Sequence, residues 1–365
     1  MATGKRSRGA RGKGRGGCRR VFLGTFILLL LLLIPAGMAA WSWWKLQRPY
    51  KGYRGPERQV TIAPGTSATQ TLVNLQREGV LADARLARLY LVYSMRDPKI
   101  QAGEYLFHGS LTTPQVLRML VKGKTLTHRF TLVEGMTLEE MADQLVQQGF
   151  GRRAAFLAEM RSPQRIADLD PEARDLEGYL FPETYSFAAR TGEKEIVDLL
   201  VRTFRRRFEK DVRPLLAQGP PGRSLRQVLI LASIVEKEAK ASGERPLIAA
   251  VYQNRVQQKI GLAADPTVIY ALKKLGRWDG NLRRDDLRMD SPYNTYRWAG
   301  LPPGPICSPG LASLKAAAVP ANVPYLYFVS RNDGTHVFAQ TLAEHNRNVE
   351  IWQRQYWRDR RAAGR

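Results

Sequence analysis

The chain begins with a basic tail that runs directly into a long uncharged segment. Residues 1–20 contain eight Lys and Arg and no acidic residue, and residues 21–44, "VFLGTFILLLLLLIPAGMAAWSWW", carry no formal charge. A helix of 24 residues is long enough to cross the hydrocarbon core of a bilayer. Because positive flanks stay in the cytoplasm, we expect a cytoplasmic tail over 1–20 and a transmembrane helix over 21–44. The rest of the chain would then lie outside the cytoplasm.

A cleaved signal peptide is the alternative for this segment, because "AGMAA" is rich in small residues. The apolar run, however, exceeds the roughly 7–15 residues of a signal-peptide core. It is also followed by Trp41, Trp43 and Trp44, which favour a membrane interface. These features favour a retained anchor. Cys18 and Cys307 would then lie on opposite sides of the membrane, so no disulfide is expected within the exported part.

The charge balance restricts the partners of the exported part. The formal net charge of the chain is +24. After residue 20 there are 49 basic and 33 acidic residues, so the excess of positive charge continues beyond the tail. Outside the cytoplasm, the anionic partners that fit this excess are lipid headgroups and cell-wall polymer. Nucleic acid is not expected, since no RNP, helix-turn-helix or zinc-finger pattern occurs. The four His residues lack ligand-like spacing, so neither a metal nor another cofactor is expected.

After a juxtamembrane linker over residues 45–59, one pattern occurs twice at an offset of 70 residues. The copies are "APGTSATQTLVNLQREGVL" at 63–81 and "VEGMTLEEMADQLVQQGFG" at 133–151. Each copy begins with a turn glycine and a helix-capping Ser or Thr, continues with apolar residues at helical spacing and stops at glycine. The first copy leads into a strand-and-helix pattern. We predict a LysM-like α/β module over 60–125, a fold that binds N-acetylglucosamine-containing glycans, with a plain α+β spacer as the alternative.

The stretch "LASIVEKEAKASGE" at residues 231–244 places two glutamates at the end of an apolar helix. The helix is predicted to begin at Ser224, where Gln227 completes a capping box. At 100° per residue, the two glutamates lie on different faces. Glu238 lies on the same face as Leu231, Ile234 and Val235. Glu236 lies on the face of Leu229, Ala232 and Ser233.

A carboxyl group against aliphatic side chains has its charged form disfavoured, which raises its pKa toward neutrality. Glu238 therefore fits a proton donor for a glycosidic bond. The alternative is that both glutamates are solvated at the helix end, beside Lys237 and Lys240. Glu236 is expected to pair with Lys240 at the i, i+4 spacing.

Six further motifs follow "GYLFPETY" in a fixed order: "IVEKEA", "DPTVIY", "YNTY", "GLPPGPI", "SLKAA" and "YLYFV". With them, residues 60–356 resemble the membrane-anchored endolytic murein transglycosylases, the MltG or YceG-like family. The resemblance implies an α+β catalytic domain over 126–357, followed by a basic tail over 358–365. In that family the catalytic acid is one glutamate, and Glu238 is the residue that matches. Ala239 and Cys307 depart from the pattern, where Thr and Ala are common.

The resemblance implies a lytic transglycosylase that cleaves the β-1,4 bond between N-acetylmuramic acid and N-acetylglucosamine and leaves a 1,6-anhydro end. Because the 6-hydroxyl of the same sugar attacks, one glutamate can serve first as acid and then as base. Nascent glycan strands are the expected substrate. Such an enzyme would end glycan polymerisation, with glycan synthases, the penicillin-binding proteins, as expected partners.

The polar residues of the distal motifs and of "GYLFPETY" are candidates for orienting the glycan: Asn254, Asp265, Asn294, Tyr296 and Glu183. Asp265 before Pro266 is equally typical of a turn, and Tyr296 also fits a core position. The aromatic residues around Glu183 fit either a packed turn or a sugar-contacting surface. Two rival functions remain: a non-catalytic wall-binding scaffold, and a hydrolase that uses Glu183 or Asp265 as a second carboxylate.

Overall fold

The computed structural model describes residues 16–123, 127–188 and 191–362, and it describes residues 16–30 by their helical backbone alone. The side chains of the predicted tail, and those of residues 21–30 of the predicted membrane segment, lie outside the description. Helix α1 covers Gly16–Gln47, and its described part exposes large apolar side chains, Leu31–Ile34 and Trp41 among them. Within the described residues, no helix is both long and apolar enough to span a membrane. The anchor over 21–44 stays a prediction.

The chain divides into two compact units, residues 1–126 and 127–365. The first contains an antiparallel pair of strands, β1 (Glu57–Ile62) and β2 (Gly103–His108), with Val60 opposite Tyr105. Besides α1, it contains the helices α2 (Ala68–Arg77), α3 (Ala84–Tyr93) and α4 (Thr113–Lys122). Their apolar faces and the strands enclose one core, which includes Leu72, Leu75, Leu91, Tyr105, Phe107 and Leu117. That this unit binds glycan as a LysM module stays a prediction.

The second unit is mostly helical, with small two-stranded sheets. Strand β3 (Thr127–Thr131) pairs with β4 (Thr184–Ala188), and β5 (Tyr327–Ser330) pairs with β6 (His336–Ala339), both antiparallel. Its helices are α5 (Leu138–Gln147), α6 (Arg153–Met160), α7 (Glu193–Arg207), α8 (Leu225–Glu238), α9 (Arg245–Gln257), α10 (Asp265–Lys274), α11 (Leu311–Ala318), α12 (Leu342–Val349) and α13 (Tyr356–Ala362). The described chain is therefore a mixed α+β protein, as predicted.

The sequence repeat is confirmed as a structural repeat. Helices α2 and α5 follow Gly65 and Gly135, which both have φ of +81°, a conformation that glycine adopts without strain. The side chains of Ser67 and Thr137 accept the capping hydrogen bonds of these helices. Each copy thus forms a glycine turn and a capped helix, and a strand precedes it in the chain.

Helix α8 is buried in the core of the second unit. Every residue from Val228 to Val235 is buried, as expected for a helix that is apolar on all sides. The predicted capping box between Ser224 and Gln227 is present, and the helix packs against α9 and α11. Its C-terminal residue is Glu238. The carboxyl group singled out by the sequence therefore stands at the end of a rigid, buried element.

The aromatic motif "GYLFPETY" forms a packed turn, which resolves the alternative left open by the sequence. Leu176, Tyr179, Leu180, Phe181 and Tyr185 are all buried in the core of the second unit. Gly178 has φ of +83°, and a Cβ there would lie 2.8 Å from the Cβ of Pro305 in the "LPPGPI" motif. These two motifs therefore pack closely against each other.

Candidate active site

Glu238 ends α8 because the next residue, Ala239, leaves the helix with an extended backbone. The side chain is half-buried, and burial raises its pKa to about 7. A carboxyl group with this pKa is substantially protonated at neutral pH and can donate its proton to a leaving oxygen. The raised pKa agrees with the expectation from the helix face.

Tyr252 is a contact of Glu238 that the sequence did not indicate. It lies on α9, is 2% exposed, and its hydroxyl donates a hydrogen bond of 3.0 Å to Oε1 of Glu238. This bond favours the carboxylate and lowers the pKa of Glu238, but the effect of burial is larger. The tyrosine therefore fixes the orientation of the carboxyl group and limits the rise of its pKa.

Asp265 and Tyr296 form the second polar pair of the site. Asp265 is the first residue of α10, and its Oδ1 accepts a 2.6 Å hydrogen bond from the Tyr296 hydroxyl. The negative charge of Asp265 also raises the pKa of Glu238, so the two carboxyl groups interact. Tyr296 is 42% exposed, which leaves its ring accessible to a ligand. Glu238, Asp265 and Tyr296 thus belong to one site.

Asn294 stabilises the loop that carries Tyr296. Its side chain is fully buried, and its amide nitrogen donates to the carbonyl oxygens of Leu287 and Met289 at 3.0 and 2.8 Å. Its Oδ1 accepts a 3.0 Å hydrogen bond from the backbone N–H of Tyr296. Every polar atom of the amide is therefore engaged within the loop that presents Tyr296, and a direct glycan contact of Asn294 stays a prediction.

Asn254 and Glu183 have partners other than the Glu238 group. The amide nitrogen of Asn254 donates to the carbonyl oxygens of Val323 and Tyr325 at 2.8 and 2.9 Å, which fixes the segment before β5. The carboxylate of Glu183 accepts a 2.6 Å hydrogen bond from Arg207. Both side chains thus hold parts of the scaffold together, and the glycan contacts expected of them from the sequence stay predictions.

Glu236 has a different partner from the one predicted. It pairs with Arg245 at 3.5 Å, where the i, i+4 spacing predicted Lys240, and its Oε2 accepts a 2.9 Å hydrogen bond from the backbone N–H of Gly310. Its side chain is only 7% exposed. A Cβ on Gly310 would lie 1.9 Å from Oε1 of Glu134, so this corner is tightly filled. Glu236 therefore joins the end of α8 to α9 and to the segment before α11.

Glu177 is a second buried carboxyl group that the sequence analysis did not single out. It is 2% exposed, and burial raises its pKa well above the ordinary value. Its Oε2 accepts hydrogen bonds from the Tyr270 hydroxyl at 3.1 Å and from the Leu138 N–H at 3.4 Å. These contacts tie the aromatic turn to α10 and α5. Among the described residues the pKa is raised for three glutamates, Glu134, Glu177 and Glu238, of which Glu238 carries the link to Asp265.

Comparisons with known proteins agree with these observations. The model of the YceG-like family matches residues 60–351. The chain belongs to the YceG-like family. It is 30% identical over 307 residues to the endolytic murein transglycosylase of Bacillus subtilis, covering 80% of this chain and 83% of that protein. It is 28% identical to the endolytic murein transglycosylase of Streptococcus pneumoniae D39, covering 90% of this chain but 65% of that protein.

A solved structure is also similar. The crystal structure of a yceG-like protein from Listeria monocytogenes matches with a TM-score of 0.55 and 32% sequence identity, covering 80% of this chain and 98% of that one. The family and the fold thus have independent support.

Replacing Tyr252 with Phe is expected to shift the pH dependence of cleavage. Activity that needs protonated Glu238 falls as the pH rises through about 7. Because the Tyr252 hydrogen bond lowers this pKa, its loss should move the alkaline limb of kcat/KM upward, by about one pH unit. The matched control is Tyr185→Phe, which removes a hydrogen bond to the Phe181 carbonyl oxygen instead and should leave the limb in place. An unshifted limb in Tyr252→Phe would contradict the assignment.

Proposed function

We propose that this YceG-like protein is an endolytic lytic transglycosylase that cleaves the MurNAc–GlcNAc β-1,4 bond of nascent peptidoglycan and leaves 1,6-anhydro ends. The observation that carries the proposal is the Glu238 carboxyl group, whose pKa of about 7 lets it exist in both protonation states at neutral pH. The relatives in Bacillus and Streptococcus carry the name endolytic murein transglycosylase, which supports the substrate class.

Glu238 performs both proton transfers in this mechanism. In its neutral form it donates the proton to the glycosidic oxygen as the bond to the muramic acid breaks. As a carboxylate it then removes the proton from the 6-hydroxyl of the same sugar, which closes the anhydro ring. Tyr252 holds the carboxyl group in place through its 3.0 Å hydrogen bond, and the pair of Asp265 and Tyr296 contributes negative charge near the developing positive sugar.

A muramidase hydrolase is the second candidate function, and Asp265 is the observation that favours it. Its charge acts on Glu238, and hydrolases need a second carboxylate as nucleophile or as base for water. Glu183 is a weaker choice for that role, because it is engaged with Arg207. The Glu238 carboxyl group is held by Tyr252 and interacts with Asp265, and this arrangement around a pKa of about 7 fits the enzyme functions better than a non-catalytic scaffold.

Endolytic cleavage has its own test. The full-length chain in detergent is incubated with long glycan strands, and the lengths of the products are followed in time by size separation. Internal cleavage should give fragments of intermediate length at early times. Release of disaccharides alone, with the long strands shortening only slowly, would contradict the endolytic assignment.

We also propose that the enzyme is held at the bacterial inner membrane by residues 21–44, with its N-terminus in the cytoplasm. The eight positive charges before this segment support the orientation, and the exposed apolar side chains of α1 fit a lipid environment. A reporter that works only outside the cytoplasm should be active when it is fused after residue 60. Activity of a cytoplasm-specific reporter at that position would contradict this topology.

Anchoring next to newly made strands would let the enzyme end their polymerisation. Glycan synthases, the penicillin-binding proteins, are the partners we propose on this ground. Co-purification of a synthase with the full-length chain from solubilised membranes tests the association. Crosslinking of the membranes traps weak contacts. If no synthase co-purifies with the chain even then, the partner proposal is contradicted and the proposed chemistry is unaffected.

A further inference from the structure

Two adjoining cavities form a groove along one side of α10. The larger is about 460 Å³, within the roughly 300–1,000 Å³ range of small-molecule sites, and the smaller is about 100 Å³. Both are lined by Thr137, Tyr270 and Lys273, so they meet at α5 and the middle of α10. We call the two together the α10 groove.

The α10 groove begins next to the candidate active site. Its smaller end is lined by Lys237 and Pro266, which are the sequence neighbours of Glu238 and Asp265. Its larger end reaches Lys274 and Trp278 beyond the last turn of α10. At 1.5 Å per residue, the ten-residue helix carries the groove about 15 Å away from Asp265. A group attached to the sugar at the site could therefore extend along it.

The charges along the groove change from one end to the other. The end near Glu238 offers the ammonium groups of Lys237 and Lys273 with apolar side chains between them. The far end adds carboxylates as well as guanidinium groups, Glu139 and Arg161 among them. Cationic side chains still outnumber the three carboxylates at the far end, so a ligand that fits has free carboxylates along its length and an amine only at the far end.

The ion pairs now present in the groove leave room for such a ligand. Lys273 contacts Glu140 at 2.6 Å with its side chain 30% exposed, and Arg161 contacts Glu139 at 3.9 Å with its side chain 64% exposed. Exposed pairs of this kind contribute little stability, so exchanging a partner for a ligand group costs little. Each ammonium also has three donors, more than one carboxylate contact uses.

We propose that the α10 groove binds the short peptide carried by the lactyl group of the muramic acid at the cleaved bond. This inference rests on the proposed function, because only a peptidoglycan strand presents such a peptide beside the scissile linkage. The peptide has free carboxylates and, at its diamino acid, an amine, which match the order of charges. The groove would make the enzyme prefer strands that still carry their peptides.

The test compares two substrates with the full-length chain in detergent: glycan strands with their peptides, and the same strands after an amidase has removed the peptides. The wild type should show a kcat/KM about ten-fold higher on the peptide-bearing strands, the effect of one charge-assisted hydrogen bond. Lys273→Gln should bring the ratio of the two values close to one. Arg161→Gln, at an exposed position where folding is not at risk, should lower the ratio as well. Lys194→Met, an exposed lysine on α7 outside the groove, is the matched control and should keep the wild-type ratio.

The outcomes separate this inference from the function on which it rests. Cleavage of both substrates at equal rates by the wild type, or an unchanged ratio in both Lys273→Gln and Arg161→Gln, overturns the peptide groove and leaves the transglycosylase standing. Failure of the wild type to cleave either substrate overturns the proposed function and the groove with it. A lowered ratio in both variants together with an unchanged ratio in Lys194→Met supports the groove.

Discussion

Replacing Glu238 with Gln is expected to abolish glycan cleavage while leaving the protein folded. Gln is nearly isosteric with Glu and resembles the neutral carboxyl group that a pKa of about 7 makes available, but it can neither give up nor regain a proton. Acid–base groups contribute about 10²–10⁴-fold in rate, and here one residue serves two proton transfers, so a loss at the upper end is expected. Anhydro-ended fragments are quantified by mass spectrometry, and circular dichroism follows the fold.

The free energy of unfolding should change little in Glu238→Gln, because the substitution replaces a partly buried carboxyl group with a neutral side chain that can still accept the Tyr252 hydrogen bond. Wild-type cleavage by this variant would refute the single-glutamate mechanism. Loss of cleavage together with loss of helical signal would show that Glu238 acts on the fold instead.

Replacing Glu236 with Gln should have the opposite pattern, with reduced stability and retained activity. The variant removes the negative partner of Arg245, whose side chain is only 14% exposed. Breaking a buried ion pair costs roughly 3–5 kcal/mol, and because Gln can still accept the hydrogen bond of the Gly310 N–H, we expect the lower end, about 3 kcal/mol. In a unit of this size, that corresponds to a fall in Tm of about 6–12 °C.

Thermal unfolding and cleavage are measured on the same preparation of Glu236→Gln, well below its Tm. Substantial cleavage by the folded variant is the expected result. If Glu236→Gln keeps the wild-type Tm and loses cleavage while Glu238→Gln retains cleavage, the assignment of the two faces of α8 is wrong. The same Glu→Gln change at Glu236 and at Glu238 thus distinguishes a structural glutamate from a catalytic one.

The features predicted correctly from the sequence depend on neighbours along the chain. The capping box at Ser224, the repeated glycine turns at Gly65 and Gly135, and the apolar face under Glu238 are all set by residues within one or two helical turns. The apolar face predicted a raised pKa for Glu238, and burial is the largest cause of the rise. Local periodicity is enough for predictions of this kind.

The features that were missed depend on contacts between distant segments. Tyr252 reaches Glu238 from another helix, and no spacing in the sequence indicates that α9 returns beside the end of α8. The segment before α11 packs against Ser233 on the face of Glu236, so Arg245 and Gly310 become the partners of Glu236. Asn294 has a side chain typical of sugar sites, yet its loop turns it inward.

The most direct test of the central claim is the mass of the products made in water enriched with heavy oxygen. A lytic transglycosylase forms the anhydro ring with the sugar's own 6-hydroxyl, so the full-length wild type should give fragments without added water and without heavy oxygen. A hydrolase, with Asp265 assisting a water molecule or forming a covalent intermediate, would give reducing ends that carry the label. Unlabelled anhydro ends are the result that the single-glutamate account predicts. Labelled reducing ends as the main product would contradict it.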